Sequence, residues 1–281
     1  MKKVKGRPSP VDGKVAVIVG GASGIGKGIA LDFASNNACV AILDIAREAG
    51  EKLVSEINKF IGKERAKFIF CDVSVEKTVK DAFREVVSVF SGIDVLIYSV
   101  GIVKAGSVKD FSLEDFELVT KVNYTGYFLC VKYAASIMAE QHRRDPSRIM
   151  DIIQINSKSG LQGSERNFAY SGSKFGGIGL TQSFALELLK DGVKVNAVCP
   201  GNVFDSPLWS DAKNGLFVQY LKAGKVPEAK TVKDVRRYYE SKVPMGRGCT
   251  VEDILCAVYY VIEQKYETGQ AILVAGGQIM R

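Results

Sequence analysis

The stretch Val15-Ala16-Val17-Ile18-Val19-Gly20-Gly21-Ala22-Ser23-Gly24-Ile25-Gly26 decides how the rest of the chain is read. Its β-branched opening reads as a buried strand, its glycines as a turn, and the Ile29, Ala30 and Phe33 that follow as the inner face of a helix. A strand, glycine turn and helix in that order make a phosphate cradle, because backbone N–H groups at the helix start face the ligand. Gly20, Ser23, Gly24, Ile25 and Gly26 are the residues expected to meet a pyrophosphate, although their spacing differs from the commoner dinucleotide fingerprint.

A second strand over 39–43 ends in Asp44, at the distance where a carboxylate accepts hydrogen bonds from an adenosine ribose. Such a carboxylate repels a 2'-phosphate, so the expected cofactor is NAD rather than NADP. Arg47 is the one nearby residue that argues otherwise. Helices over 47–60 and 75–90 then alternate with strands over 66–70 and 94–98. Residues 113–139 have helical spacing over a long span with Asn123 inside it, and the apolar run 152–156 reads as a strand ending at Ser157. After the helix that begins near Phe168 come a strand over 193–198, Pro200-Gly201, a helix over 251–262 and a strand over 270–274. Strands separated by helical patterns predict right-handed crossovers and a parallel sheet covered on both faces. The alternation stops over 203–247, an insert long enough to be a substrate-covering lid.

With 281 residues, 47% apolar and 25% charged, the chain suits one α/β domain over 11–281 behind a basic arm over 1–10. That arm lacks the apolar core of a signal peptide, and no apolar run approaches the length of a membrane span, so a cytoplasmic protein without membrane contact is expected. The six cysteines show no paired spacing and are expected to be reduced. A single histidine, His142, argues against a histidine-based triad or a multi-histidine metal site, and no metal is expected. The net charge of +7 comes from Lys and Arg interleaved with Asp and Glu, which argues against nucleic acid as a partner.

Tyr170 and Lys174 are spaced to lie one helical turn apart on the same face. An ammonium beside a phenol favours the phenolate, and a phenol whose pKa falls from about 10 toward neutrality can exchange a proton with a hydroxyl or carbonyl. That fall of roughly 3 units asks the surroundings for about 4 kcal/mol. A lone Tyr-x-x-x-Lys is also common on surface helices, so the pair carries weight only with the rest of the chain.

The glycine turn, Asp44, Asp72, Asn123, Ser157, Tyr170, Lys174 and Pro200-Gly201, in that order, resemble the short-chain dehydrogenase/reductase family over nearly the whole chain. The resemblance implies a Rossmann-type, doubly wound parallel sheet. It implies Tyr170 as acid/base, Lys174 on the nicotinamide ribose lowering the tyrosine pKa, Ser157 on the reacting oxygen, and Asn123 holding a relay water. Asp72 and Val73 would meet the adenine, and Pro200, Gly201 and Val203 the nicotinamide side. Two positions depart from the family: Val19 stands where Thr is usual, and Tyr98-Ser99-Val100-Gly101 where Asn-Asn-Ala-Gly is usual. The second departure removes an amide that braces the central strands.

Residues 201–208, 242–249 and 268–280 resemble the sorbitol-6-phosphate 2-dehydrogenase branch of that family, which implies a sugar or polyol substrate, phosphorylated or free. Lys213, Lys222, Lys225, Arg236, Arg237, Lys242 and Arg247 lie in the insert and are candidates to meet a phosphate, or else ordinary surface charges. The alternatives are a 3-oxoacyl or small keto substrate, and a non-catalytic NAD-sensing protein. The Asn123 helix and the Tyr170 helix are both apolar on more than one face. Subunit contacts through them and through the apolar C-terminal tail predict a homotetramer.

Overall fold

The computed structural model describes residues 9–280, so most of the basic arm expected over 1–10 lies outside the described residues, as does Arg281. Seven parallel strands form one sheet in the order β3-β2-β1-β4-β5-β6-β7. They are β1 (Val15–Val19), β2 (Cys39–Asp44), β3 (Ala66–Phe70), β4 (Val95–Tyr98), β5 (Met150–Ile155), β6 (Val193–Pro200) and β7 (Ala271–Val274). The crossovers are α1 (Gly24–Ser35), α2 (Arg47–Ile61), α3 (Glu76–Phe90), α4 (Leu113–Thr120), α5 (Gly126–Arg144) and α6 (Phe168–Leu188). Three helices occupy the insert, α7 (Pro207–Ser210), α8 (Leu216–Lys222) and α9 (Val232–Ser241), and α10 (Val251–Glu263) leads into β7.

Successive strand side chains point to opposite faces, and the strands divide their residues accordingly. Ala16 and Ile18 of β1 pack with Phe33 of α1, Leu53 of α2 and Val258 of α10. Val17 and Val19 pack on the other face with Phe83 of α3 and Tyr127 and Met138 of α5. Both faces are therefore dry, which is why the strands read as continuous apolar runs rather than as alternating ones. At the far end of the sheet from the glycine turn, the buried Lys194 pairs with Asp151 at 2.9 Å and donates to the carbonyls of Val261 and Gln264, fastening α10 to β6.

The expected helix over 113–139 is in fact two helices joined by a π-helical turn, Lys121–Thr125, and it runs on to Arg144. Such a turn exchanges the usual i→i−4 backbone pairing for i→i−5 over a few residues, a local change that side-chain spacing does not specify. The C-terminal extension is supported by Arg143 and Arg144, which both pair with Glu140 and sit where the helix dipole favours cations. The insert over 203–247 packs around an aromatic cluster in which Trp209 meets Phe204, Phe217, Tyr220 and Tyr239.

The missing family amide at Tyr98 has a substitute. Tyr98 is fully buried beside Tyr127, and its hydroxyl donates 2.6 Å to the Val122 carbonyl within the π turn. A phenol thus ties β4 to the segment that carries Asn123. Tyr98→Phe keeps the packing and removes only this bond, so the urea unfolding midpoint should fall by the equivalent of about 1 kcal/mol. An unchanged midpoint would show that the hydroxyl holds nothing.

Candidate active site

The sheet order reverses between β1 and β4, where the crossovers leave in opposite directions and a crevice opens at the strand carboxyl ends. A cleft of about 1170 Å³ lies there. Gly20, Ser23, Gly24, Ile25, Asp44, Asp72, Val73, Ser157, Tyr170, Lys174, Pro200, Gly201 and Val203 all line it. Gly26 and Asn123 do not, and each stands directly behind the wall.

The glycine turn suits close approach of backbone to ligand. Gly20 has a φ of +76°, and a Cβ on it would lie 2.9 Å from the Ser99 carbonyl oxygen. A Cβ on Gly26 would lie 2.1 Å from the Gly20 carbonyl oxygen, so only glycine lets α1 start this close to the turn. The first turn of α1 contains no acidic residue, and Ser23 at its N-cap makes no side-chain hydrogen bond, leaving the helix end open to an anion. Asp44 accepts from Ala22 N and Ala46 N, both at 3.0 Å, which aims its carboxylate along the cleft wall. Arg47 points elsewhere: it pairs with Glu51 and stands over the Phe68 and Phe70 rings. Asp72 caps its own turn through Ser74 N and Oγ. These residues fit a dinucleotide with its pyrophosphate on the turn and a ribose at Asp44.

Further along the cleft, α6 starts at Phe168 and brings Tyr170 and Lys174 to the end of β5 beside Ser157. Both side chains are buried, and the Lys174 Nζ donates 3.2 Å to the Ile155 carbonyl, which leaves two of its three N–H bonds for a ligand. Asn123 is wholly buried, accepts from Ile102 N at 2.8 Å, and donates to Ile102 O and to Ser173 Oγ. Its amide protons are spent on the fold, so a relay water has only an oxygen lone pair to hold on this side chain.

The expected fall of the tyrosine pKa is not what the enclosed pair displays. Burial pushes the Tyr170 phenol up to about 12, with only the Ser157 side chain pulling it back, and burial takes the Lys174 ammonium down to about 8. The ammonium stands 5.6 Å from the phenol ring centroid, and the loss of water around both groups dominates. Desolvation favours the neutral form of each, which the residue pattern alone could not indicate.

Of the seven cations named in the insert, Lys213, Lys222 and Lys225 line the cleft. Arg236 is committed to Asp205 and Glu240, Arg237 to Asp234 and Arg247 to Asp253, while Lys242 lies over the Tyr238 ring. Sequence reasoning missed Lys158, Gln162, Asn167, Trp209, Gln219 and Tyr220, which also line the cleft. Only the position of Lys158 next to Ser157 could have flagged any of them.

The short chain dehydrogenase family matches residues 14–215 of the chain. The sorbitol-6-phosphate 2-dehydrogenase of Escherichia coli (strain K12) is 38% identical over 270 residues, 95% of this chain and 99% of that protein. Among solved structures, the sorbitol-6-phosphate 2-dehydrogenase of Erwinia amylovora is 37% identical with a TM-score of 0.86, covering 95% of this chain and 100% of that one. An NAD+-bound xylitol dehydrogenase is 29% identical with a TM-score of 0.86, covering 95% and 99%. Matched over most of its length by that family and by these dehydrogenases, and folded as a parallel sheet like theirs, the chain belongs to the short-chain dehydrogenase/reductase family and is a nicotinamide-dependent oxidoreductase acting on CH-OH groups.

Proposed function

We propose that the protein is an NAD-dependent oxidoreductase that interconverts a secondary alcohol of a sugar or polyol with its ketone. The observation that carries this reading is the enclosure of Ser157, Tyr170 and Lys174 in the same cleft as the Asp44-bearing glycine turn. A nicotinamide held there would supply the hydride transfer to or from the substrate carbon. Tyr170, a neutral phenol in this cleft, gives its proton to the substrate oxygen in the direction of ketone reduction and, as the resulting phenolate, takes the hydroxyl proton in the reverse direction; Ser157 holds the reacting oxygen, and Lys174 orients the ribose with the two N–H bonds it has free. Asn123 acts through Ile102 and Ser173 to position the wall behind them. The segment 203–247 serves as the lid, its aromatic cluster excluding water while Gln162 and Asn167 offer amides to hydroxyls and Gln219 ties the lid to Ala105 and Val103. Similarity to the sorbitol-6-phosphate 2-dehydrogenases over nearly the full chain supports a polyol as the substrate class. A pure NAD sensor would need no buried phenol and ammonium at the end of its dinucleotide site.

Tyr170→Phe preserves the ring and removes the proton carrier. It should leave NADH binding near the unmutated level, read by fluorescence titration, and cut turnover by at least about a hundredfold. Equal turnover would remove the central claim.

Asp44 supports NAD over NADP, since its carboxylate would face a 2'-phosphate while Arg47 is held on the Phe68 and Phe70 rings. NAD should be favoured at least about tenfold in kcat/KM, about 1.4 kcal/mol, and Asp44→Ala should narrow that gap. An equal or reversed preference in the unmutated enzyme would count against the assignment.

For assembly, α4, α5 and α6 leave Phe116, Phe128, Phe175 and Leu186 exposed, the last at 85%, and Met280 extends exposed at the C-terminus. Apolar side chains gathered on neighbouring helices support isologous contacts between subunits and a homotetramer. Light scattering at micromolar concentration should give four times the 30.5 kDa chain mass; a mass near 30.5 kDa would defeat the proposal.

A further inference from the structure

The lid end of the cleft holds an arrangement of charge that polyol hydroxyls alone do not explain. Lys213 and Lys222 line it but are exposed and solvated, whereas Lys158 and Lys225 are half-buried. The Lys158 ammonium has no hydrogen-bond or ion-pair partner among the described residues. The Lys225 ammonium reaches only Ser164 Oγ, at 3.5 Å, and stands 4.2 Å from the Tyr220 ring centroid. By contrast Lys104 at the same cleft is paired with Asp115 at 3.0 Å, and Arg166 nearby spends a guanidinium N–H on the Ala223 carbonyl at 2.7 Å.

Unpaired, partly desolvated ammoniums are costly, and two that repel one another cost more. Burial pulls both toward the neutral amine. The Glu165 carboxylate on the rim opposes this for Lys225, while Lys158 and Arg166 push Lys225 further toward the amine. An anion entering between the two amines would satisfy both. The position is also informative. Lys158 directly follows Ser157, and Lys225 is separated from Tyr170 by one side chain, that of Tyr220, whose hydroxyl is hydrogen-bonded to Asn167. An anion held there sits a short carbon chain away from the carbon that reacts at Tyr170.

We infer that Lys158, Lys225 and the Ser164 hydroxyl form an anion subsite at the lid end of the cleft, and that it receives a phosphate monoester carried by the polyol substrate. This assignment rests on the polyol reading given above. A phosphate monoester carries close to two negative charges at neutral pH and three acceptor oxygens, matching two ammoniums and one hydroxyl. The same cations give no advantage to a free polyol.

The test compares sorbitol 6-phosphate with free sorbitol by NADH absorbance in the unmutated enzyme and in Lys158→Gln and Lys225→Gln. The ester should be favoured at least about a hundredfold in kcat/KM, and each substitution should cut that ratio at least about tenfold, mainly through KM. Equal use of ester and free polyol by the unmutated enzyme, or a ratio that neither substitution moves, overturns the subsite. Turnover of neither compound would count against the polyol reading instead, so the subsite is also read without turnover. Inorganic phosphate is titrated calorimetrically into NAD-saturated enzyme, with the dinucleotide keeping phosphate off the glycine turn. Saturable millimolar binding that weakens at least tenfold in both variants supports the assignment. No saturable binding, or equal binding in the variants, overturns it, with thermal unfolding confirming that the variants are folded.

Discussion

Burial of both faces of a parallel sheet is the constraint on which this protein depends. Strands sandwiched between helices have their backbone groups paired along the ladder and their side chains in dry cores, so nothing chemical can happen along their length. Ligand access is left to the strand carboxyl ends, and chiefly to the place where neighbouring crossovers diverge. Here that place is the junction of β1 and β4. The glycine turn, Asp44, the end of β5 at Ser157 and the start of α6 all arrive at this edge because each follows a strand of the same sheet.

Desolvation then governs what the gathered groups are like. The Tyr170 phenol and the Lys174 ammonium are enclosed well enough that each is driven toward its neutral form, to about 12 and about 8 respectively. In water such a pair would be of little chemical interest. In a closed cleft, every hydrogen bond or charge that a ligand brings acts through a low dielectric and moves the proton balance more than it could outside. The aromatic packing of Trp209 against Phe204, Phe217 and Tyr239 maintains that closure from the insert side. The same closure makes unpaired charge informative: among the cations at the cleft, Lys158 and Lys225 are half-buried without a carboxylate partner.

The two departures from the family pattern illustrate how a fold absorbs substitution. Val19 joins the core cluster beneath α3 and α5, where a methyl packs without the hydrogen-bond partner that a buried hydroxyl would need. Tyr98 gives up an amide and replaces it with a phenol long enough to reach the π turn at Val122. The brace survives in altered form, and it now runs from β4 to the segment holding Asn123.

By itself, the sequence determined the alternation of strands and helices outside the insert and the glycine turn, and it marked Asp44, Ser157, Tyr170 and Lys174 as candidates that the fold brings to one cleft. Each of these rests on local chemistry: side-chain period, backbone freedom at glycine, and a four-residue spacing on one helix face. It could not reveal the π turn at Lys121–Thr125, because the choice between i→i−4 and i→i−5 pairing is made by the backbone and its neighbours rather than by apolar spacing. Nor could it separate the cations of the insert, since whether Arg236 meets Asp205 or the cleft depends on how α9 packs, and Lys225 reaches the cleft only because Tyr220 lies beneath it. Above all, the direction in which the Tyr170 and Lys174 protons are pushed was decided by tertiary structure alone. Proximity of residue types can be read from spacing, but the exclusion of water is a property of everything packed around them.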